Sequence, residues 1–119
     1  MNARRVVFIV LGLAFLLATP LFAGETVVPD TEAAKYVDKK VSVKGVVVGI
    51  GVSRADITYL SFGKPYPSQT FSAVIPKELR SKFPNPAKWQ GKTITVTGTV
   101  TLRRDKPQIV LEDPSQITE

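Results

Sequence analysis

The fold is decided by residues 93–102, which read Thr-Ile-Thr-Val-Thr-Gly-Thr-Val-Thr-Leu. Threonine and an apolar residue alternate along this stretch, and the apolar side chains are Ile94, Val96, Val100 and Leu102. Such alternation predicts a β-strand with one face in a core and the other exposed. Gly98 interrupts the apolar series, and a glycine inside a strand pattern marks a bend. The sequence therefore predicts a long strand that bends near its middle.

Four other segments carry strand patterns, and two carry the marks of short helices. The further strands are predicted over residues 41–50, 57–62, 70–75 and 107–111. The first of these contains Gly45 and Gly49, which predict more bends. One helix is predicted over residues 31–40 with Asp30 or Thr31 as its N-cap. The other is predicted over residues 77–83, because Pro76 suits a first helical turn and Pro84 ends the helix.

The order of these elements predicts an all-β protein with minor helices. Three strands, a short helix and two strands follow one another, which is the connectivity of the OB-fold, a five-stranded Greek-key barrel with a helix between strands 3 and 4. The alternative is an open antiparallel sheet with a helix packed on it. Bends at Gly45, Gly49 and Gly98 favour the barrel, because they supply curvature and closure removes exposed sheet edges.

The first 23 residues have the layout of a secretory signal peptide. Arg4 and Arg5 precede an apolar run over residues 6–18, and a break at Pro20 is followed by Ala23. This layout predicts cleavage after Ala23, a single domain over residues 24–119, and a periplasmic or secreted protein without a stable membrane anchor. The alternative is an uncleaved anchor, because the apolar stretch approaches the roughly 20 residues that span a bilayer.

Composition excludes several kinds of chemistry. The chain has no cysteine and no histidine, which excludes disulfides, zinc sites of the Cys/His type, and catalysis by Cys or by a Ser–His–Asp triad. Between residues 54 and 106 the acids are Asp56, Glu78 and Asp105, and the predicted elements separate them. We therefore expect a protein that is not an enzyme and that has no catalytic residues, cofactor or metal site.

Five stretches carry a resemblance to known proteins. They are Val-Lys-Gly-Val-Val at 43–47, Tyr-Leu-Ser-Phe-Gly-Lys-Pro-Tyr-Pro at 59–67, Phe-Ser-Ala-Val-Ile at 71–75, Gly-Lys-Thr-Ile-Thr-Val-Thr-Gly at 91–98, and Pro-Gln-Ile-Val-Leu at 107–111. In these stretches the chain resembles small exported bacterial OB-fold domains of the nucleic-acid-binding superfamily. The resemblance implies an OB-fold over nearly the whole of residues 24–119 and, by superfamily analogy, binding of nucleic acid.

The positive charge is concentrated in the middle of the chain. The whole chain has a formal charge of +6. Residues 24–53 are neutral, residues 54–106 carry ten Lys and Arg against three acids, and residues 107–119 carry three acids and no base. An anionic partner is therefore expected to meet the middle of the domain.

The candidate ligand-binding residues follow from the charge and the predicted fold. OB-folds bind oligonucleotides and oligosaccharides across strands 2 and 3, between the loops that join strands 1–2 and 4–5. The cations in the predicted loops are Arg54, Lys64, Arg103, Arg104 and Lys106, and the rings beside them are Tyr59 and Tyr66. Cations for phosphates and rings for bases are what single-stranded nucleic acid requires.

Other interpretations of the same residues stay open. Lysine and arginine in turns are often ordinary solvated residues, and Trp89 is expected to plug the barrel rather than to touch a ligand. The same barrel face could bind a protein or glycan partner of the cell envelope. In either case we expect a monomer.

Overall fold

The computed structural model describes residues 26–119, so the predicted signal peptide lies outside the described residues. Seven strands are present in this part of the chain. They are β1 (Val27–Pro29), β2 (Lys40–Val52), β3 (Thr58–Phe62), β4 (Phe71–Ile75), β5 (Thr93–Arg103), β6 (Lys106–Val110) and β7 (Ile117–Thr118). The protein is therefore mostly β, as the alternating pattern predicted.

The helical segments of residues 26–119 are all short 3₁₀ helices. They are Asp30–Tyr36, Lys77–Lys82, Pro86–Trp89 and Pro114–Gln116. The first was predicted to reach residue 40 with a capping side chain at 30 or 31. Its N-cap is instead Pro29, which has no side chain for capping, and the helix ends early because β2 already begins at Lys40.

Strand β2 pairs with two different partners along its length. Residues 40–46 pair with β5, and residues 47–52 pair with β3. The register shifts between Val47 and Gly49, which is where a bulge lets a strand bend. Pairing then continues from β3 to β4, in parallel from β4 to β6, and from β6 back to β5. These five strands thus form a closed ring of pairings.

The predicted count of five strands is wrong, because two short strands lie outside the ring. Strand β1 pairs in parallel with β2, and β7 pairs with β5. Each is too short to show a period of two in the sequence, and both are recruited by the backbone of a neighbouring strand.

The core lies inside the ring and is closed by side chains from the 3₁₀ segments. Its fully buried large side chains are Leu60, Phe62, Phe71, Ile75, Ile94, Ile109 and Leu111. Trp89 and Phe83 belong to the same cluster, which agrees with the expectation that Trp89 is a plug. Leu102, predicted to face the core, is 50% exposed, because it lies beside the β5–β6 turn where the core has ended.

Strand β7 is held by a capped turn. The Asp113 carboxylate accepts a hydrogen bond from the Ser115 amide at 2.9 Å, and the Gln116 side-chain amide donates to the Thr97 carbonyl of β5 at 2.9 Å. The hydrogen bonds from Ser115, with a smaller contribution from Lys82, lower the pKa of Asp113 below its ordinary value. The cap is therefore retained until the pH falls well into the acid range.

Gly45 allows the first 3₁₀ helix and the core to approach β2 closely. A Cβ at this position would lie 2.7 Å from Asp30 Oδ1 and 3.0 Å from Phe62 Cδ2. Asp30 cannot easily move, because its carboxylate accepts a hydrogen bond from the Thr70 hydroxyl. That hydroxyl also lies 3.0 Å from the Phe62 carbonyl oxygen. The contact therefore joins the first helix to the loop between β3 and β4.

We expect Gly45→Ala to lower the free energy of unfolding by about 1–3 kcal/mol, because the added methyl group overpacks a site that is already full. The matched control is Gly49→Ala in the same strand, where an added Cβ meets no atom within 4 Å. The control should be neutral or stabilise the protein by up to about 1 kcal/mol. Equilibrium urea unfolding measures both, and equal effects of the two substitutions would contradict this account of Gly45.

Candidate ligand-binding face

The face that points away from the core on β3 and β4 is made of small side chains and one ring. Two rows of residues in register across the strands form this face, which we call the outer face. One row is Gly49, Ser61, Ser72 and Gln108, and the other is Gly51, Tyr59, Val74 and Val110. Tyr59 is half-buried, whereas Ser61, Ser72 and Val74 are buried. The outer face is therefore a shallow surface on which the Tyr59 ring is the aromatic group.

The β2 side of the outer face is open. Neither Gly49 nor Gly51 would bring an added Cβ within 4 Å of another atom. Gly51 is the register partner of Tyr59, so the ring stands beside free space instead of a neighbouring side chain. A planar group of a ligand could therefore lie against Tyr59 without displacing protein atoms.

Arg54 lies at one end of the outer face, in the turn between β2 and β3. The Ser53 hydroxyl shapes this turn by accepting hydrogen bonds from the amides of Ala55 and Ile57, both at 3.2 Å. Asp56 adopts a left-handed conformation with φ of 63°, and its carboxylate pairs with Arg80 at 3.6 Å. Arg54 itself is exposed, so this turn presents one cation to solvent.

The remaining predicted cations gather at the other end. The loop of residues 63–70 carries the exposed Lys64 and Tyr66, and the β5–β6 turn follows Arg103. Arg104 and Asp105 have φ of 52° and 66°, the left-handed pair expected of a two-residue hairpin turn. The Lys106 ammonium donates to the Gln69 carbonyl at 3.2 Å, which joins this turn to the loop.

The structure therefore brings five of the seven predicted site residues together and leaves two apart. Lys64, Tyr66, Arg103, Arg104 and Lys106 share one end, because β4 and β6 run in parallel and start side by side. Arg54 lies at the opposite end of β3, and Tyr59 lies on the outer face between them. At about 3.3 Å per residue, the five residues of β3 separate the two ends by roughly 17 Å.

Two features of this face were not foreseen in the sequence. Lys106 is half-buried and holds the loop through Gln69, so it has a structural contact in addition to its predicted role. Gln69 is 8% exposed, and its Oε1 has no hydrogen-bond partner within residues 26–119. No sequence signal singles out Gln69, because it sits in a loop whose Gly and Pro residues hide any periodicity.

Across residues 26–119, no group of three or more Asp or Glu side chains is placed to hold a metal ion. In the same range no helix has the length and apolar character needed to cross a membrane.

Comparison with known proteins supports the fold. No protein-family model matches the chain, and no curated protein matches it in sequence. Among solved structures, it is similar to a chain assigned as an aspartyl-tRNA synthetase from Leishmania major Friedlin, with a TM-score of 0.50 and 13% identity. That match covers 84% of this chain but 22% of the synthetase chain, so the protein spans about a fifth of that relative's length.

A second similar structure is the OBody AM1L10 bound to hen egg-white lysozyme. The TM-score is 0.50 at 18% identity, over 75% of this chain and 86% of that one. A third, the Stn1–Ten1 complex of S. pombe, has a TM-score of 0.42 at 14% identity over 64% of this chain and 60% of that one. The two stronger likenesses and the order of strands in the ring together define an OB-like fold.

We expect Lys106→Met to loosen the loop of residues 63–70, because the substitution removes the hydrogen bond to Gln69. A net hydrogen-bond contribution of about 0.5–1.5 kcal/mol corresponds to a roughly twofold to tenfold faster amide exchange. Exchange is measured at Ser68 and Thr70, whose amides donate within this loop and to the Phe62 carbonyl. The control, Arg103→Met, removes a cation from the register partner of Lys106 and should leave both rates unchanged. Equal acceleration in the two variants would contradict the tether.

Proposed function

We propose that the protein is an exported, non-enzymatic binding module that holds an anionic linear ligand, single-stranded nucleic acid in the first place, on the outer face of its OB-like fold. The observation that carries the proposal is the arrangement of charge. Exposed cations stand at both ends of the outer face, at Arg54 and at Arg103 and Arg104, and the Tyr59 ring stands between them.

This arrangement suits a chain of phosphates. Phosphates would pair with the cations at the two ends, and bases would stack on Tyr59 and on the exposed ring of Tyr66. The open space at Gly49 and Gly51 lets a backbone approach the sheet closely beside Tyr59. A span of roughly 17 Å corresponds to a short site, near the lower limit of about four nucleotides that a single OB-fold accommodates.

The remaining parts of the proposal rest on the sequence. Export follows from the signal-peptide layout of residues 1–23. The absence of catalysis, cofactor and metal follows from the composition and from the scattered acids of residues 54–106. A monomer is sufficient, because one copy of the ring supplies both cationic ends.

A protein partner is the second candidate, and the composition of the outer face favours it. Tyr59 is the one ring among the eight residues of the outer face, and Val74 and Val110 make part of it apolar. A protein partner can contact a surface with few rings and some aliphatic side chains as readily as a nucleic acid can. The OBody, which has a similar fold, is bound to a protein, hen egg-white lysozyme. A glycan of the envelope is the third possibility on the same face.

The salt dependence of oligonucleotide binding tests the first candidate. We expect a labelled deoxythymidine oligomer of ~12 nucleotides to bind at low ionic strength, with log K falling linearly with log[NaCl]. The double variant Arg103→Gln/Arg104→Asn should reduce the magnitude of that slope by about 1.4, since each phosphate contact of a single strand contributes about 0.7. Asparagine is chosen at 104 because it tolerates the left-handed conformation of the turn. Fluorescence anisotropy provides the measurement.

The control variant removes two cations elsewhere. Lys44→Gln/Lys92→Gln changes the net charge equally, but Lys44 lies where β2 pairs with β5 and Lys92 directly precedes β5. The control should keep the wild-type slope. Absence of binding at low ionic strength, or equal slopes for the two double variants, would reject nucleic acid as the ligand. Recovery of one stoichiometric protein from envelope extract would then support the second candidate.

The contribution of the ring can be tested separately. We expect Tyr59→Leu to weaken oligonucleotide binding by about fivefold to a hundredfold, because stacking on an aromatic side chain contributes about 1–3 kcal/mol per base. Tyr59→Phe keeps the stacking surface and should bind within about twofold of wild type. The salt slope should stay the same in both variants, since neither changes a phosphate contact. A Tyr59→Leu variant with unchanged affinity would remove the ring from the site.

A further inference from the structure

A groove of about 710 Å³ lies at the end of the ring next to Arg54, between the β2–β3 hairpin and the segment that follows β4. Its apolar lining is Ile50, Val52, Ile75, Phe83, Pro84 and Pro86. The volume falls in the range of about 300–1,000 Å³ that small-molecule sites occupy. None of these residues belongs to the outer face, so the groove is a separate surface.

The groove lies over the end of the ring that Phe83 closes. Phe83 packs in the core and is 4% exposed, whereas no residue of the preceding 3₁₀ helix Lys77–Lys82 is fully buried. Pro84 and Pro86 then prevent the helix from continuing, and Asn85 between them has φ of 105°. As a result Val52, next in the row after Ile50, remains 53% exposed. Exposed aliphatic surface inside a concave groove marks a binding site more often than an isolated surface valine does.

The charged groups of the groove gather near its β3 end, and Ser81 and Asn85 are further polar lining residues. Thr58 lines the groove and is 3% exposed. Lys77, two residues beyond the Thr58 register partner Ile75, brings an ammonium to the rim. Arg80 and Asp56 also line this end as an ion pair at 3.6 Å. Two cations against one acid give this end of the groove a net positive charge, which favours an anionic group here.

We propose that the groove binds a single unbranched aliphatic chain that ends in a carboxylate. The chain lies along the apolar lining, and the carboxylate meets Lys77, Arg80 and the Thr58 hydroxyl. This ligand is distinct from the linear anion of the outer face. The two sites can therefore succeed or fail independently.

The chemistry of the groove disfavours other occupants. A nucleic acid strand carries a charge on every nucleotide and would leave charges against the apolar lining. A peptide brings an N–H and a C=O at every residue, and those that lie along the apolar lining would be left without partners. A cationic amphiphile would meet Lys77 and Arg80 and be repelled. A carboxylate with a plain hydrocarbon chain matches both ends of the groove.

The test titrates the protein with decanoate below its micelle concentration. Methyl NMR follows Ile50, Val52 and Ile75, and calorimetry gives the affinity and stoichiometry. We expect one decanoate per protein, with shifts at these three methyl-bearing residues. Affinity should rise about twofold to fourfold per methylene from octanoate to dodecanoate, since each buried methylene contributes up to ~0.8 kcal/mol. Decyltrimethylammonium, with the same chain length and the opposite charge, should bind at least about tenfold more weakly than decanoate.

Two variants with matched controls assign the two ends of the ligand. Lys77→Glu should weaken the binding of decanoate about tenfold or more and leave the binding of 1-decanol unaffected. The control Lys39→Glu makes an equal change of charge after the first 3₁₀ helix and should change neither affinity. Val52→Gln should weaken the binding of decanoate and of decanol alike, whereas Val110→Gln on the outer face should weaken neither. Val52 and Val110 are both exposed, so the folded state is retained and thermal unfolding verifies it.

Several outcomes would overturn the proposal. They are the absence of methyl shifts at saturating decanoate, equal affinity for the cationic amphiphile, and decanoate binding that Lys77→Glu leaves unchanged. Tighter binding of an apolar peptide, or self-association that shifts the same methyl groups, would assign the groove to another occupant and reject the carboxylate. Displacement of decanoate by the oligonucleotide would show that the groove is part of the first site and would also overturn it.

Discussion

The change of partner along β2 is the constraint on which the rest of the structure depends. One strand pairs with β5 over residues 40–46 and with β3 over residues 47–52, so it belongs to both walls of the ring. Asp30 and Phe62 pack closely against β2 where Gly45 has no side chain. A flat β2 could serve one wall but not both, and the ring would open into a sheet with exposed edges.

Both candidate binding surfaces follow from the second half of β2. After the register shift, Gly49 and Gly51 turn outward beside β3 and leave the open floor of the outer face. Ile50 and Val52 alternate with them and line the groove at the ring's end. A single bent strand thus has a polar, glycine-lined side toward one proposed ligand and an aliphatic side toward another. An OB-like fold by itself specifies no ligand, so it is the residues of these two surfaces that indicate which ligands could bind.

The strands could be predicted from the sequence because alternation is a local signal, and the ring predicted from five such segments is present. The features that could not be predicted depend on contacts between residues that are far apart in the sequence. Strands β1 and β7 exist through pairing with β2 and β5, and the Asp30 side chain bonds Thr70 forty residues away instead of capping its own helix. Leu102 follows the alternation of its strand, but it lies beyond the end of the core and is exposed.

The cationic turns were recognised as loops in the sequence. Their placement at opposite ends of β3, however, follows from the parallel pairing of β4 with β6. The groove depends on how the segment after β4 packs, which no periodic pattern encodes.

The central claim is that the outer face, with its cationic ends, forms one continuous site for a linear anion. Amide NMR mapping of the protein with a deoxythymidine oligomer tests this most directly. The account predicts shifts that grow together, with one dissociation constant, at Arg54, Gly51, Tyr59, Ser72 and Arg104. Shifts confined to one end, to the groove, or to the surface around Lys44 and Lys92 would contradict a continuous site.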